Sequence, residues 1–134
     1  MSDERPKLVK SYRDLIVYQK AFSSSMEIFN LSRKWPAAEK YSLTDQINRA
    51  SKSICTNIAE SWRKRRYPAH FVSKLSDATA ETSETEVWLD FALECKYITR
   101  IDHSKLRDNY DQIGKMLTTM MNKPEKWCNE NSGK

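Results

Sequence analysis

The stretch "SLTDQINRASKSICTNIAESWRKRRYP", residues 42–68, decides the fold. Leu43, Ile47, Ala50, Ile54, Ile58 and Trp62 recur at intervals of three and four, which is one face of an α-helix running from about Leu43 to Arg66. Ser42 is a suitable N-cap, and Asp45 suits the positive end of the helix dipole. Pro68 fits the first turn of a following helix, where its missing N–H costs nothing.

Outward from that stretch, the same periodicity defines three more helices. The first is predicted over Asp14–Lys34, with Leu15, Tyr18, Phe22, Met26 and Phe29 as its face and Val17, Ala21, Ile28 and Leu31 widening it. Pro36 stops it near Trp35. The third is predicted over Pro68–Ile98 on Phe71, Leu75, Ala78, Thr82, Thr85, Leu89 and Ala92. Val87, Trp88, Phe91 and Cys95 add a second apolar side. The fourth opens at Asp102 as N-cap and carries Leu106, Tyr110, Ile113, Leu117 and Met120 to about Asn122. Four helices with short links imply an all-α, antiparallel up-down four-helix bundle over residues 12–123. Residues 1–11 read as a flexible basic N-terminal arm and residues 124–134 as a flexible C-terminal tail.

Composition excludes several function classes. Gly114 and Gly133 are the only glycines, so neither a P-loop nor a dinucleotide-binding fingerprint can be built. His70 and His103 are the only histidines, and neither has a second ligand at metal spacing. Ser61 to Lys64 matches S-x-x-K but lacks the companion motifs of that chemistry. The carboxylates Glu81, Glu84, Glu86, Asp90 and Glu94 lack the Glu-x-x-His pairs of a di-metal bundle. The reading is therefore no enzyme, no metal and no cofactor. Cys55, Cys95 and Cys128 form no disulfide pattern and imply a reducing compartment; Cys55 and Cys95 read as small buried residues. No apolar run approaches membrane-spanning length, and the first residues carry no apolar secretory core, so a cytoplasmic location is expected.

The formal net charge is +5, and it is unevenly spread. Residues 43–67 hold six Lys/Arg against two Asp/Glu, whereas residues 68–98 hold two against six. A hairpin turning near residues 66–67 sets Arg49 level with Glu84 and Lys52 level with Glu81, pairs expected to neutralise each other. Arg63, Lys64, Arg65 and Arg66 stay uncompensated at the turn. Cations complement the C-terminal end of a helix, but that effect fades beyond the last turn, and four adjacent cations repel one another. Flanked by Trp62 and Tyr67, the cluster suits nucleic acid, with phosphates on guanidinium forks and bases on aromatic rings, although the flanking equally fits Trp62 as plain core. An acidic protein partner and a merely solvated helix end remain as the alternatives. Gln46, Ser53, Asn57 and Glu60 recur beside the apolar stripe and read as a structural motif, with Arg49 and Glu84, that fixes register against the next helix through Ser83 or Thr79.

The segments "YRDLIVYQKA" (12–21), "EKYSLTDQINRASKSICTNIAE" (39–60), "FVSKLSDA" (71–78) and "ETSETEVWL" (81–89) resemble the four-helix-bundle family of proteins encoded in intervening sequences of bacterial 23S rRNA genes. The same superfamily includes the accessory variability determinant proteins of diversity-generating retroelements. The resemblance implies a protomer often assembled into a homopentameric ring or barrel, with no known catalysis. It also implies, from the retroelement members, a basic scaffold for a reverse transcriptase and its RNA. Ser61, followed by Trp62, stands where many relatives have a glycine, which suits an uninterrupted helix. Asn48-Arg49 replaces a frequent arginine pair and removes one cation from the surface. The expected function is a non-enzymatic, oligomeric RNA- or DNA-binding accessory protein. The alternative is a protein-interaction scaffold for a partner enzyme such as a retroelement reverse transcriptase.

Overall fold

The computed structural model describes residues 9–128; the remainder of the N-terminal arm, 1–8, and of the C-terminal tail, 129–134, lie outside the described residues. Four long helices carry the fold: α1 (Ile16–Ser32), α2 (Leu43–Arg63), α3 (Pro68–Glu94) and α4 (Arg100–Asn122). Short 3₁₀ turns lie at Tyr12–Asp14, Ala37–Glu39 and Pro124–Lys126, and there is no strand among the described residues. Each helix packs on the next and α4 closes back on α1, which leaves α1 and α3 diagonal to each other.

The core is built as periodicity predicts in three of the four helices. Every stripe residue of α2, α3 and α4 is buried, from Leu43 through Trp62, Phe71 through Ala92, and Leu106 through Met120. The antiparallel register of α2 and α3 is closed near the turn by an ion pair, Lys74 Nζ to Glu60 Oε1 at 2.8 Å.

The first helix differs. Its buried face is Val17, Ala21, Ser24, Ser25, Ile28 and Ser32. Phe22, Met26 and Phe29, expected inside, are 51%, 42% and 37% exposed. The reason is proximity: small side chains let α1 and α2 approach closely enough for Ser25 and Ser51 to share a hydrogen bond of 2.9 Å. Asn48 Nδ2 donates to Ser32 Oγ at 3.0 Å in the same seam. A reading by hydrophobic size therefore misplaces the centre of this face: Val17, Ala21 and Ile28 at its edge are buried as expected, while Phe22, Met26 and Phe29 are not.

Helix ends also depart from expectation. The Ser42 side chain makes no cap hydrogen bond; Glu39 Oε1 instead accepts the Leu43 N–H at 3.2 Å. Thr99, not Asp102, caps α4, its hydroxyl accepting the Asp102 N–H at 3.0 Å. The third helix stops at Glu94 rather than near Ile98, because Lys96 adopts a left-handed φ of 63°. Lys96 N–H then donates to the Leu93 carbonyl and Tyr97 N–H to the Ala92 carbonyl, both at 2.9 Å, the reciprocal pair of a Schellman stop. Cys95, read as buried, is exposed just before this turn, while Cys55 is buried as expected. The beginning of the presumed loose tail is docked: Trp127 and Cys128 are both buried.

Candidate nucleic-acid interface

Arg63 closes α2, and residues 64–67 form the tight link to α3, so the four cations and Tyr67 occupy one end of the bundle. Arg63, Lys64 and Arg66 are exposed. Arg65 is not. Its guanidinium lies over the Trp62 ring, 3.6 Å from the centroid, and its Nε–H donates to the Trp62 carbonyl at 2.8 Å. Burial pulls the Arg65 pKa down, so its charge sits in a partly desolvated place.

This arrangement corrects the expected role of Trp62. The indole is only 6% exposed and one face is covered by Arg65, so it supports an arginine rather than a base. Tyr67 is 55% exposed, beside the ring of His70 at 5.4 Å between centroids, and it keeps a free aromatic surface.

The tertiary structure adds residues that sequence reasoning did not assign to the site. A cleft of about 460 Å³ is lined by Lys10, Ser11, Tyr12 and Arg13 on one side and by Trp62, Arg63, Arg65 and Arg66 on the other. The N-terminal segment is held in place by a capping box. Asp14 Oδ2 accepts the N–H of Lys10 at 2.8 Å and of Ser11 at 3.2 Å, and Ser11 Oγ accepts the Arg13 N–H at 3.1 Å. The Arg13 guanidinium stacks on Tyr12, 4.9 Å from the ring centroid. The capping signature "SYRD" is readable in sequence as Ser11 followed three residues on by Asp14. Its place beside the end of α2 is not, because fifty residues separate the two.

Lys10, Arg13, Arg63, Lys64, Arg65 and Arg66 join none of the ion pairs among the described residues. On the acidic side of the molecule, by contrast, Glu86 and Asp90 are matched by cations. His103 Nε2 lies 2.8 Å and Arg107 3.1 Å from Asp90 Oδ1, and Arg107 Nε is 3.6 Å from Glu86. The Glu86 carboxyl is pushed up to about 7 by burial and by the neighbouring Asp111 carboxyl, against the pull of Arg107.

The polar motif of α2 has a more local role than expected. Asn57 donates to the Ser53 carbonyl and hydroxyl within α2, at 2.9 and 3.1 Å, and Gln46 is exposed; only Glu60 reaches across to α3. Arg49 and Glu84 do not pair, nor do Lys52 and Glu81, among the described residues. Lys52 lies over the Phe29 ring and Glu84 accepts the indole N–H of Trp88 at 3.2 Å. Lys52 and Glu84 thus settle on aromatic neighbours, Phe29 of α1 and Trp88 of α3, instead of spanning the hairpin. The Cys55 thiol is raised to about 11 by burial, which leaves it protonated and a poor nucleophile. Among the described residues no cluster of three metal-ligating side chains occurs, and no helix is long and apolar enough to cross a membrane.

Known proteins agree with this architecture. A solved structure, described as a protein of unknown function from the S23 ribosomal protein family of Bacteroides thetaiotaomicron VPI-5482, is similar at 29% identity and a TM-score of 0.71. The match covers 79% of this chain and 98% of that one. No curated protein matches the chain. The family model described as 23S rRNA-intervening sequence protein matches residues 13–119, from the first 3₁₀ turn nearly to the end of α4, and the chain belongs to that family.

Proposed function

We propose that this protein is a non-enzymatic, oligomeric accessory protein that binds RNA or DNA through its basic end. The observation that carries this reading is the set of cations around the α2–α3 link, which have no carboxylate partner among the described residues. A cation cluster without a carboxylate partner among the described residues suits an external polyanion, and phosphate is the anion that guanidinium forks fit best. A cytoplasmic setting and a kinship with the retroelement accessory proteins belong to the same proposal.

Oligomerisation is supported by two exposed apolar faces. Phe22, Met26 and Phe29 line one side of α1, and Val87 and Phe91 project from α3. These helices are diagonal, so the faces lie on different sides of the protomer. Two unlike faces in contact repeat head to tail, and such a contact closes into a ring when its rotation allows. The homopentamer implied by the family resemblance is one such ring, and it places every basic end on a common rim. The same apolar faces favour the second reading, a scaffold that docks a partner enzyme such as a reverse transcriptase.

Two measurements test the proposal. Light scattering gives a multiple of the 15.7 kDa protomer if the faces are joined, and a monomer mass rejects the ring. Binding of single-stranded RNA falls steeply with salt, and Arg63→Gln/Lys64→Gln/Arg65→Gln/Arg66→Gln lowers the log–log salt slope by up to about 3, near 0.7 per lost phosphate contact. Equal binding by both proteins, or by neither, leaves the scaffold reading.

A further inference from the structure

We infer that the cleft between the N-terminal segment and the end of α2 is a phosphate clamp, in which Arg13 and Arg65 hold one backbone phosphate of a single-stranded nucleic acid. The inference rests on the nucleic-acid reading above but assigns it a defined subsite that includes residues outside the cluster at the turn.

Three observations converge on the cleft. First, each of its two arginines lies over an aromatic ring, Arg13 over Tyr12 at 4.9 Å and Arg65 over Trp62 at 3.6 Å from the centroid. A guanidinium stacked by its flat face keeps its N–H edge free for in-plane bonds, the geometry that matches two phosphate oxygens. Arg65 spends only its Nε–H on the chain itself, at the Trp62 carbonyl. Its terminal nitrogens make no hydrogen bond among the described residues.

Second, Arg65 is half-buried without a carboxylate, and burial disfavours its charged form. A cation withdrawn from water without a counter-charge is costly, and the cost is offset when an anion enters. Third, the one nearby carboxylate of the N-terminal segment is already used: Asp14 accepts two backbone N–H groups of the capping box. The Ser11 hydroxyl accepts from Arg13 N–H, which leaves its own proton to donate into the cleft. The lining thus offers donors from Ser11, Arg13 and Arg65 with Lys10, Arg63 and Arg66 around them, and no acidic side chain.

The clamp differs from a diffuse basic patch in what it requires. A patch needs charge; a clamp needs the planar fork. Arg13→Lys/Arg65→Lys keeps the charge and removes both forks. The expected result is a loss of about tenfold or more in affinity for a fluorescent single-stranded RNA at constant salt, read by anisotropy, as bidentate pairing is replaced by point charges. Arg100→Lys, at the start of α4 and away from the cleft, is expected to bind within about twofold of wild type.

Because Arg65 also touches Trp62, Arg13→Lys alone serves as the second variant. It lies on a surface turn, and an intact melting curve shows that the bundle is undisturbed. Inorganic phosphate as competitor distinguishes the two sources of the anion. Displacement of RNA by phosphate only at large excess supports a backbone phosphate, whereas saturable phosphate binding without RNA binding overturns the nucleic-acid occupant. If the double Lys variant and Arg13→Lys bind as wild type while the fourfold Gln variant loses RNA, the clamp is overturned and the basic-end reading stands. If the fourfold variant also binds unchanged, both fall.

Discussion

Charge is dense in two regions of this molecule, and it is treated in opposite ways. On the α3–α4 side, Glu86, Asp90, His103, Arg107 and Asp111 form a ladder in which each charge has a neighbour of the other sign or a shared proton. At the α2–α3 end, six cations gather with aromatic rings and no carboxylate partner among the described residues. Both regions look equally charged in a linear reading. The difference teaches that neither charge density nor a missing partner alone marks a site, since Arg49 and Lys52 join no ion pair among the described residues either; the cations at the α2–α3 end stand out because they also gather around one cleft. A compensated ladder belongs to the folding balance of the protomer, whereas a cluster with no carboxylate partner among the described residues suits an anion from outside.

The comparison is broken most severely at Trp62. The indole joins the core to the cationic end, for it is buried and carries Arg65 on its face. Trp62→Ala is expected to cost about 3–5 kcal/mol of stability, read by chemical denaturation. It is also expected to weaken RNA binding although no charge is removed, because Arg65 loses its support. Unchanged RNA affinity in a folded Trp62→Ala protein would separate the core from the site and count against the role given to that stacking.

The compensated side is tested by Glu86. Its folded-state pKa, about 7, lies above the value of 4.5 usual for an exposed glutamate. The folded protein therefore holds this proton more tightly than the unfolded chain. Stability from this group is fully present below about pH 4.5 and is lost as pH rises through 7. Glu86→Gln is expected to gain about 1 kcal/mol above pH 7.5, a value reduced from the full linkage because the side chain is only partly buried, and to be neutral near pH 4. Denaturation midpoints at the two pH values check this. A Glu86→Gln protein less stable than wild type at high pH would show that the Arg107 contact outweighs burial and Asp111. RNA binding stays as in wild type in either case, since the ladder is not part of the site.

The smallest effect sharpens the comparison from a lone cation at the opposite end of the bundle. Lys96 has a left-handed backbone, which suits glycine far better than a residue with a Cβ. Lys96→Gly is expected to raise stability by about 0.5–1 kcal/mol in thermal or chemical melts, without any change in RNA affinity. A loss of affinity there would mean that total charge, rather than the arrangement at the α2–α3 end, governs binding.

Much of the fold is legible in the sequence because three of its helices bury large apolar residues at helical spacing. Periodicity names the faces of α2, α3 and α4 residue by residue, and Pro68 and the short links place the turns. The same logic fails for α1, whose contact face is made of Ala21, Ser24, Ser25 and Ser32 while Phe22, Met26 and Phe29 point outward. Size alone carries no information about how closely two helices approach. The Schellman stop at Lys96 escapes notice because no glycine announces it, and the docking of Trp127 escapes because a polar setting masks one buried aromatic residue.

For the candidate site, the division is similar. The amino-acid sequence by itself determines that four cations follow the apolar stripe of α2 and meet a turn at Pro68, so they gather at an end of the bundle. It also shows that Gly114 and Gly133 are too few for a glycine-rich phosphate loop. Only the tertiary structure decides that Trp62 is a support rather than a stacking platform, that Arg65 is folded onto it, and that Lys10 and Arg13 stand opposite. The physical reason is that helical periodicity is local, set by backbone hydrogen bonds four residues apart, whereas the cleft joins segments fifty residues distant in the chain. The close serine-lined packing of α1 on α2 is likewise encoded by no pattern of hydrophobicity.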